Sequence, residues 1–152
     1  MINIKIVCVG DLKEKFWQEA EKEYLKRLSK FCKVSFCVLS QYDKLENPIK
    51  IKEAEGKEIL SNLEGNVFLL DIQGKNISSE EMAGEIDKCF LSSNTITFVI
   101  GGSHGVSDEV KNKISSKISF GRVTYPHNLA RIILLEQVYR SFMILSGAKY
   151  HK

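Results

Sequence analysis

Apolar and polar residues alternate at the start of the chain and then run together. Ile2, Ile4 and Ile6 are separated by Asn3 and Lys5, and Val7, Cys8 and Val9 follow without a break before Gly10. This predicts a strand entering a sheet. From residue 13 to about 29 the spacing becomes helical, with Phe16, Ala20, Tyr24 and Leu28 on one stripe. Lys13, Lys15, Lys22, Lys26, Arg27 and Lys30 give that helix a basic outer surface, the pattern of a solvated face. Residues 33–40 form a second apolar run and 41–47 a polar loop, and Pro48 suits a helix start. The helix predicted over about 49–63 is highly charged, with a thin stripe of Ile51, Ala54, Ile59 and Leu60. Gly65 and Asn66 break the chain before a short apolar strand at 67–71, which Gln73 and Gly74 are expected to end. Ser78 or Ser79 can cap the next helix, which has Glu80 and Glu81 in its first turn and runs through Met82, Ile86 and Phe90. Residues 95–100 are a buried strand, and Ser107 can cap a helix over about 108–117.

The alternation of strands and helices predicts an α/β fold, a parallel sheet with helices on both faces, in a single domain spanning residues 1–152. The last third departs from it. Residues 118–126 are an extended piece broken by Gly121, and 127–145 form a strong helical stretch. Its apolar residues, from Leu129 to Leu145, cover almost the whole circumference. A helix apolar all round is buried all round. A chain this short cannot cover such a terminal helix alone, so a subunit interface is expected, in a twofold homodimer.

Composition narrows the class. The 152 residues carry a net charge of +3, which permits a nucleic-acid partner without requiring one. Cys8, Cys32, Cys37 and Cys89 form no C-x-x-C pair, and with three scattered histidines there is no zinc spacing, so no metal is expected. Free cysteines in apolar runs fit a reduced, cytoplasmic setting. Nothing resembles a signal peptide or a membrane span.

The chemistry gathers after residue 100. Gly101, Gly102 and Gly105 remove side chains where a strand would deliver the chain to the carboxyl edge of the sheet, the edge at which α/β sheets bind ligands. Gly101, Ser103 and Gly105 also match the G-x-S-x-G elbow of serine hydrolases, with Asp108 and His127 downstream in the required order. Against that reading, Asp108 follows Ser103 too closely, and the apolar last helix has no role in such an enzyme. No G-x-G-x-x-G or P-loop is present, so a nucleotide-like ligand must be held by another device. On the last helix Arg131 stands on one side, and Glu136 and Arg140, spaced i,i+4, stand nearly opposite. Unpaired charge on so apolar a helix is costly, so Arg140 is either paired or facing a polar cavity. His127 follows Pro126 at the helix start, where a local hydrogen-bonding role is expected.

These residues together resemble one family. Phe98, Val99, Ile100, Gly101, Gly102, Ser103 and Gly105, then Thr124, Pro126 and His127, then Arg131, Leu134, Glu136, Gln137, Tyr139 and Arg140, and finally Tyr150, His151 and Lys152, are similar to the RlmH family. The likeness extends to Ile6, Val9 and Gly10, and to the segment from Asp71 to Gly74. RlmH proteins are SPOUT-class methyltransferases acting on N3 of a pseudouridine in large-subunit (23S) ribosomal RNA. The resemblance implies a C-terminal trefoil knot, a homodimer, S-adenosyl-L-methionine as cofactor and the assembled ribosome as substrate. It also implies that the cofactor lies against Leu70, Gly101, Gly102, Phe120, Gly121, Arg122, Val123, Thr124 and Tyr125. Arg140, Tyr150 and His151 would serve the target nucleotide and catalysis, across the dimer. His151 is the candidate for handling the N3 proton, and Arg140 for stabilising charge on a base carbonyl. The family often has Ser-x-Met-Thr where this chain has Gly121, Arg122, Val123 and Thr124, and Gln where it has Asn128. The main alternative is a knotted protein that binds S-adenosylmethionine or a nucleotide without methylating RNA.

Overall fold

Six consecutive buried residues, Thr95–Ile100, make strand β4 the centre of the molecule. A computed structural model of the chain describes residues 1–42 and 44–152. Residue 43, within the expected polar loop 41–47, lies outside the described residues. The elements are β1 (Ile2–Val9), α1 (Lys15–Leu28), β2 (Cys32–Leu39), α2 (Pro48–Leu60), β3 (Asn66–Asn76), α3 (Ser79–Cys89), β4, α4 (Asp108–Lys113), β5 (Ser116–Ser119) and α5 (His127–Leu145). All strand pairs are parallel, in the order β2-β1-β4-β3-β5. Ile6, Phe98 and Phe68 lie side by side in the register, and the two phenylalanine rings stack with centroids 5.5 Å apart.

Strand residues point alternately to two faces, and both faces are covered. Ile4, Ile6, Cys8, Phe98 and Ile118 pack with Leu28 of α1, Met82 and Ile86 of α3, and Leu134, Leu135, Val138 and Phe142 of α5. Val7, Val9, Leu69 and Val99 pack on the other side with Ile59 of α2 and Val110 of α4. The expected α/β architecture is therefore present. Helix starts follow the expected chemistry. Asn47 Oδ1 accepts from the Ile49 amide at 2.9 Å with Pro48 in the first turn, Ser78 Oγ from the Glu81 amide at 3.1 Å, and Ser107 Oγ from the Val110 amide at 3.3 Å. Among the described residues no helix is long and apolar enough to cross a membrane, and no group of His, Cys, Asp and Glu could hold a metal ion.

Three local expectations are corrected. Phe16 is exposed and tilts against Trp17, so α1 packs through Tyr24, Leu25 and Leu28 instead. Gln73 and Gly74 do not end β3. Leu70 and Lys75 both stand opposite Ile118, so residues 71–74 bulge out of the strand before pairing resumes. A Cβ on Gly74 would lie 2.8 Å from the Lys117 carbonyl carbon and 2.9 Å from the Ile118 nitrogen. The glycine is there to let two backbones approach. Finally, α4 ends at Lys113 rather than near 117. Ile114 and Ile118, four apart, would share one face of a longer helix. They are instead buried on opposite sides of the sheet, Ile114 beneath α4 and Ile118 beneath α5, and residues 116–119 form β5.

From β5, at the sheet edge, the chain turns back, and α5 packs against α3, α1 and β4. Phe142 stacks between Phe31 and Phe90, at 5.5 Å and 6.3 Å. The Arg131 guanidinium is buried, donates to Glu21 Oε2 at 2.6 Å and lies 4.4 Å from the centre of the Phe36 ring, tying the start of α5 to α1 and β2. One side of α5 is fully buried: Arg131, Leu134, Leu135, Val138, Ser141 and Phe142. Leu129, Ile133, Met143 and Ile144 are only half-buried, and Leu145 is exposed. Within one chain the helix thus has an apolar side without a full cover.

Candidate active site

The carboxyl ends of β3, β4 and β5 open into a cleft of about 670 Å³. Three walls enclose it. The β3 bulge contributes Leu70, Asp71 and Ile72, the β4–α4 loop contributes Gly101 to Ser103, Gly105 and Val106, and the β5–α5 segment contributes Phe120, Gly121 and Val123 to His127. Ala130, one turn into α5, closes the bottom.

The glycines have separate tasks. A bridge between Gly102 and Gly105, with the Gly105 amide donating to the Gly102 carbonyl at 3.0 Å, makes a tight turn, and Gly105 has φ +81°. A Cβ on Gly101 would approach Val106 Cγ1 to 2.7 Å, and one on Gly102 would stand 2.9 Å from the carboxylate of buried Glu55. These two glycines fit the loop onto the structure behind it. Gly121, at φ +115°, has nothing within 4 Å of where a Cβ would be. Ser119 Oγ clamps this turn, accepting from the Gly121 amide at 3.2 Å and donating to its carbonyl at 2.8 Å.

Of the residues the resemblance assigned to the cofactor, Leu70, Gly101, Gly102, Phe120, Gly121, Val123, Thr124 and Tyr125 line the cleft. Arg122 does not; its side chain is exposed outside the lining. Among the described residues the lining holds no lysine or arginine, and Asp71 is its one carboxylate, with Oδ1 accepting from the Gln73 amide at 3.0 Å. The rest is apolar side chain and backbone, with exposed Ile72 and Val123 at the rim. His127 lines the cleft rather than serving only its own helix start. Ala130 was missed from sequence; its signal was a small residue three positions after His127, on the same helix face. The hydrolase elbow is not assembled. Ser103 is exposed in the glycine turn, Asp108 begins α4, and among the described residues no hydrogen bond joins Ser103 to Asp108 or His127.

Arg140, Tyr150 and His151 are brought together, but elsewhere. Arg140 donates through Nε at 2.9 Å and Nη2 at 2.7 Å to Glu136 Oε1, and its Nη1 lies 3.3 Å from His151 Nδ1. The Tyr150 hydroxyl donates to Glu136 Oε2 at 3.1 Å, and its ring centre is 4.7 Å from the Arg140 guanidinium. His151 Nε2 is 2.6 Å from Glu80 Oε1, on the first turn of α3. Burial, and then Glu136, push the Tyr150 phenol up; the same two causes push Tyr24 up to about 12. The hydrogen bond from His151 holds the Glu80 carboxyl below its ordinary range. The i,i+4 pairing of Glu136 and Arg140 is thus real, and it anchors the C-terminal tail. Ten residues separate Ala130 from Arg140, and at about 1.5 Å per residue the tail cluster stands roughly 15 Å along α5 from the cleft. Between them is a smaller cavity of about 330 Å³, lined by Ser79, Met82, Phe120, Tyr125, Ile133 and Gln137 among others.

Known proteins with this sequence pattern point one way. A family described as "Predicted SPOUT methyltransferase" matches residues 2–151. A Clostridium botulinum (strain Langeland) protein named "Ribosomal RNA large subunit methyltransferase H" is 47% identical over 159 residues, covering 99% of this chain and 100% of the relative. Proteins of the same name from Lactobacillus acidophilus and Pediococcus pentosaceus are each 48% identical, over 160 and 161 residues, with the same coverage. A parallel sheet, a cleft walled by the β3 bulge and the segments after β4 and β5, and likeness over nearly the full length agree: the chain belongs to the SPOUT methyltransferase family.

Proposed function

We propose that the protein transfers a methyl group from S-adenosyl-L-methionine to N3 of a pseudouridine in 23S ribosomal RNA, acting on the assembled ribosome in the cytoplasm as a homodimer. One observation carries the choice of cofactor: the cleft is large, walled by glycine turns and apolar side chains, and among the described residues free of lysine and arginine. A phosphate-bearing nucleotide would call for cationic side chains to pair with its charge. A sulfonium carries positive charge and tolerates an apolar wall with a single carboxylate, Asp71. The volume suits a ligand of this size. Bound there, S-adenosylmethionine supplies a methyl group on a positively charged sulfur.

The chain's own part is to bind, orient and manage a proton. The walls around Leu70, Gly102 and Phe120 to Tyr125 hold the cofactor largely by backbone groups, which explains the lack of a nucleotide fingerprint. The N3 nitrogen of the target is protonated at neutral pH, so a base must accept its proton, and His151 is that base. Arg140 donates to a base carbonyl where negative charge develops. Arg140 stands roughly 15 Å along α5 from Ala130 in the cleft of its own chain. A second subunit, seated on the uncovered apolar side of α5, delivers its tail to that cleft and covers Ile72 and Val123. The return of α5 against α3 from the edge strand agrees with the C-terminal trefoil knot that the family resemblance implies.

The test is methyl transfer from labelled S-adenosylmethionine into ribosomes that lack the modification. Label is expected in the large-subunit RNA, on N3 of one pseudouridine. Cofactor binding without transfer would overturn the proposal in favour of a knotted binding protein. A fluorophosphonate probe is expected to leave Ser103 unlabelled.

A further inference from the structure

The proton-handling role given to His151 leaves open what fixes the ring. Both of its nitrogens are engaged, and their partners allow one proton assignment. Arginine offers only N–H donors, so His151 Nδ1, 3.3 Å from Arg140 Nη1, is an acceptor without a proton. The proton of the neutral ring is therefore on Nε2, which donates to Glu80 Oε1 at 2.6 Å. Glu80 sits 71 positions earlier in the chain, on the rigid first turn of α3. The tail before it turns at Gly147, φ +73°, and its residues 145–149 are exposed. Tyr150, next to His151, is held by Glu136, Arg140 and Tyr139, and the hydrogen bonds at the two ring nitrogens orient the imidazole itself.

We propose that Glu80 is the positioning residue for His151. It holds the Nε2–H tautomer, keeps Nδ1 as the basic atom, and stabilises the imidazolium formed when Nδ1 takes the proton of the target nitrogen. A carboxylate behind a histidine acts in this way in other proton-transfer sites. The proposal rests on the reading of the protein as an RNA N3-methyltransferase. In the step itself the N3–H bond breaks and its proton goes to Nδ1. The electron pair left on N3 forms the new N–C bond, and the S–C pair returns to sulfur. The positive charge passes from the sulfonium to the imidazolium, where Glu80 faces it. Arg140 can release Nδ1 to the substrate without losing its place, because its Nε and Nη2 stay on Glu136. The freed Nη1 then reaches a carbonyl beside N3.

The experiment compares Glu80→Gln and Glu80→Ala in the full chain, with two readouts. Nitrogen-15 NMR of ring-labelled histidine reports the tautomer. In the unmodified chain Nε2 is expected to give a protonated and Nδ1 an unprotonated signal. Glu80→Gln, which keeps an acceptor oxygen, retains that pattern, and Glu80→Ala, which leaves only the longer 3.3 Å contact with Arg140 Nη1 to bias the ring, gives averaged signals. Single-turnover methylation is expected to slow about tenfold to hundredfold in Glu80→Ala, and less in Glu80→Gln, at unchanged S-adenosylmethionine affinity. The proposal is wrong if Glu80→Ala leaves either the ring signals or the rate as they were. An unmodified chain that fails to methylate ribosomal RNA would overturn the proposed function instead, and the ring signals would still decide whether Glu80 fixes the tautomer.

Discussion

Two buried thiols and a half-buried phenol give the molecule an alkaline limit. Cys8, on β1, is pushed up from 9.0 to about 11 by burial, with Arg131 opposing, and burial pushes Cys32 up to about 12. Tyr24 rises from 10.0 to about 12 through burial and its hydrogen bond to Glu136. In each case the folded chain keeps a proton that the unfolded chain has already released. The unfolded state binds fewer protons between the two values, so stability falls as pH rises through that window. Urea midpoints are expected to hold steady up to about pH 9 and to fall between about 9 and 12. Cys32→Ala removes one of the three groups and flattens the limb; an unchanged slope in that variant would contradict the assignment. The same burial makes Cys8 and Cys32 poor nucleophiles, because the thiolate is the reactive form. Half-buried Cys37 is expected to react first with a thiol reagent at pH 8, as peptide mapping after brief labelling would reveal.

At the scale of elements, the bulge in β3 decides the shape of the cleft. Residues 71–74 leave the strand so that Asp71 and Ile72 can form a wall, and Gly74 brings the chain back beside β5 with no room for a side chain. The atoms a Cβ would strike are backbone, which cannot swing aside. Gly74→Ala is therefore expected to cost about 1–3 kcal/mol in urea unfolding and to weaken S-adenosylmethionine binding measured by calorimetry. Loss of stability with unchanged affinity would show that the bulge is structural only. This feature was not legible beforehand. Glycine after glutamine is a sound stop signal locally, and only the pairing of two residues with Ile118 reveals the resumption. The start of β5 at Ser116 was hidden for the same reason, although residues 118–126 read as extended. β1, β4, the helix start at Pro48 and the caps at Ser78 and Ser107 were legible because their determinants lie within a few residues. Of the cleft, the glycine loop was visible from its own residues, and residues 120–125 came only from the family resemblance, which included Arg122 outside the lining. The link from Glu80 to His151 was not, because no local pattern joins residues 71 apart.

For the whole molecule, the distance between the cleft and the tail has a consequence for assembly. If each working site takes its cofactor wall from one chain and its Arg140, Tyr150 and His151 from the other, the two halves can be damaged in different chains. Arg140→Ala removes a tail but spares the cleft. Ala130→Phe fills the bottom of the cleft and spares the tail, which stands roughly 15 Å farther along α5. Each variant alone forms dimers with no intact site. Mixed and re-equilibrated in equal amounts, half of the dimers are hybrids, and each hybrid has one site with both halves sound. Methylation is expected to recover to about a quarter of the unmodified rate. Were cleft and tail to serve each other within a single chain, both sites of every hybrid would be broken and mixing would restore nothing. Sedimentation at micromolar concentration supplies the control, since recovery depends on dimers that exchange. A monomer at that concentration would remove the uncovered side of α5 as an interface, and with it the shared site.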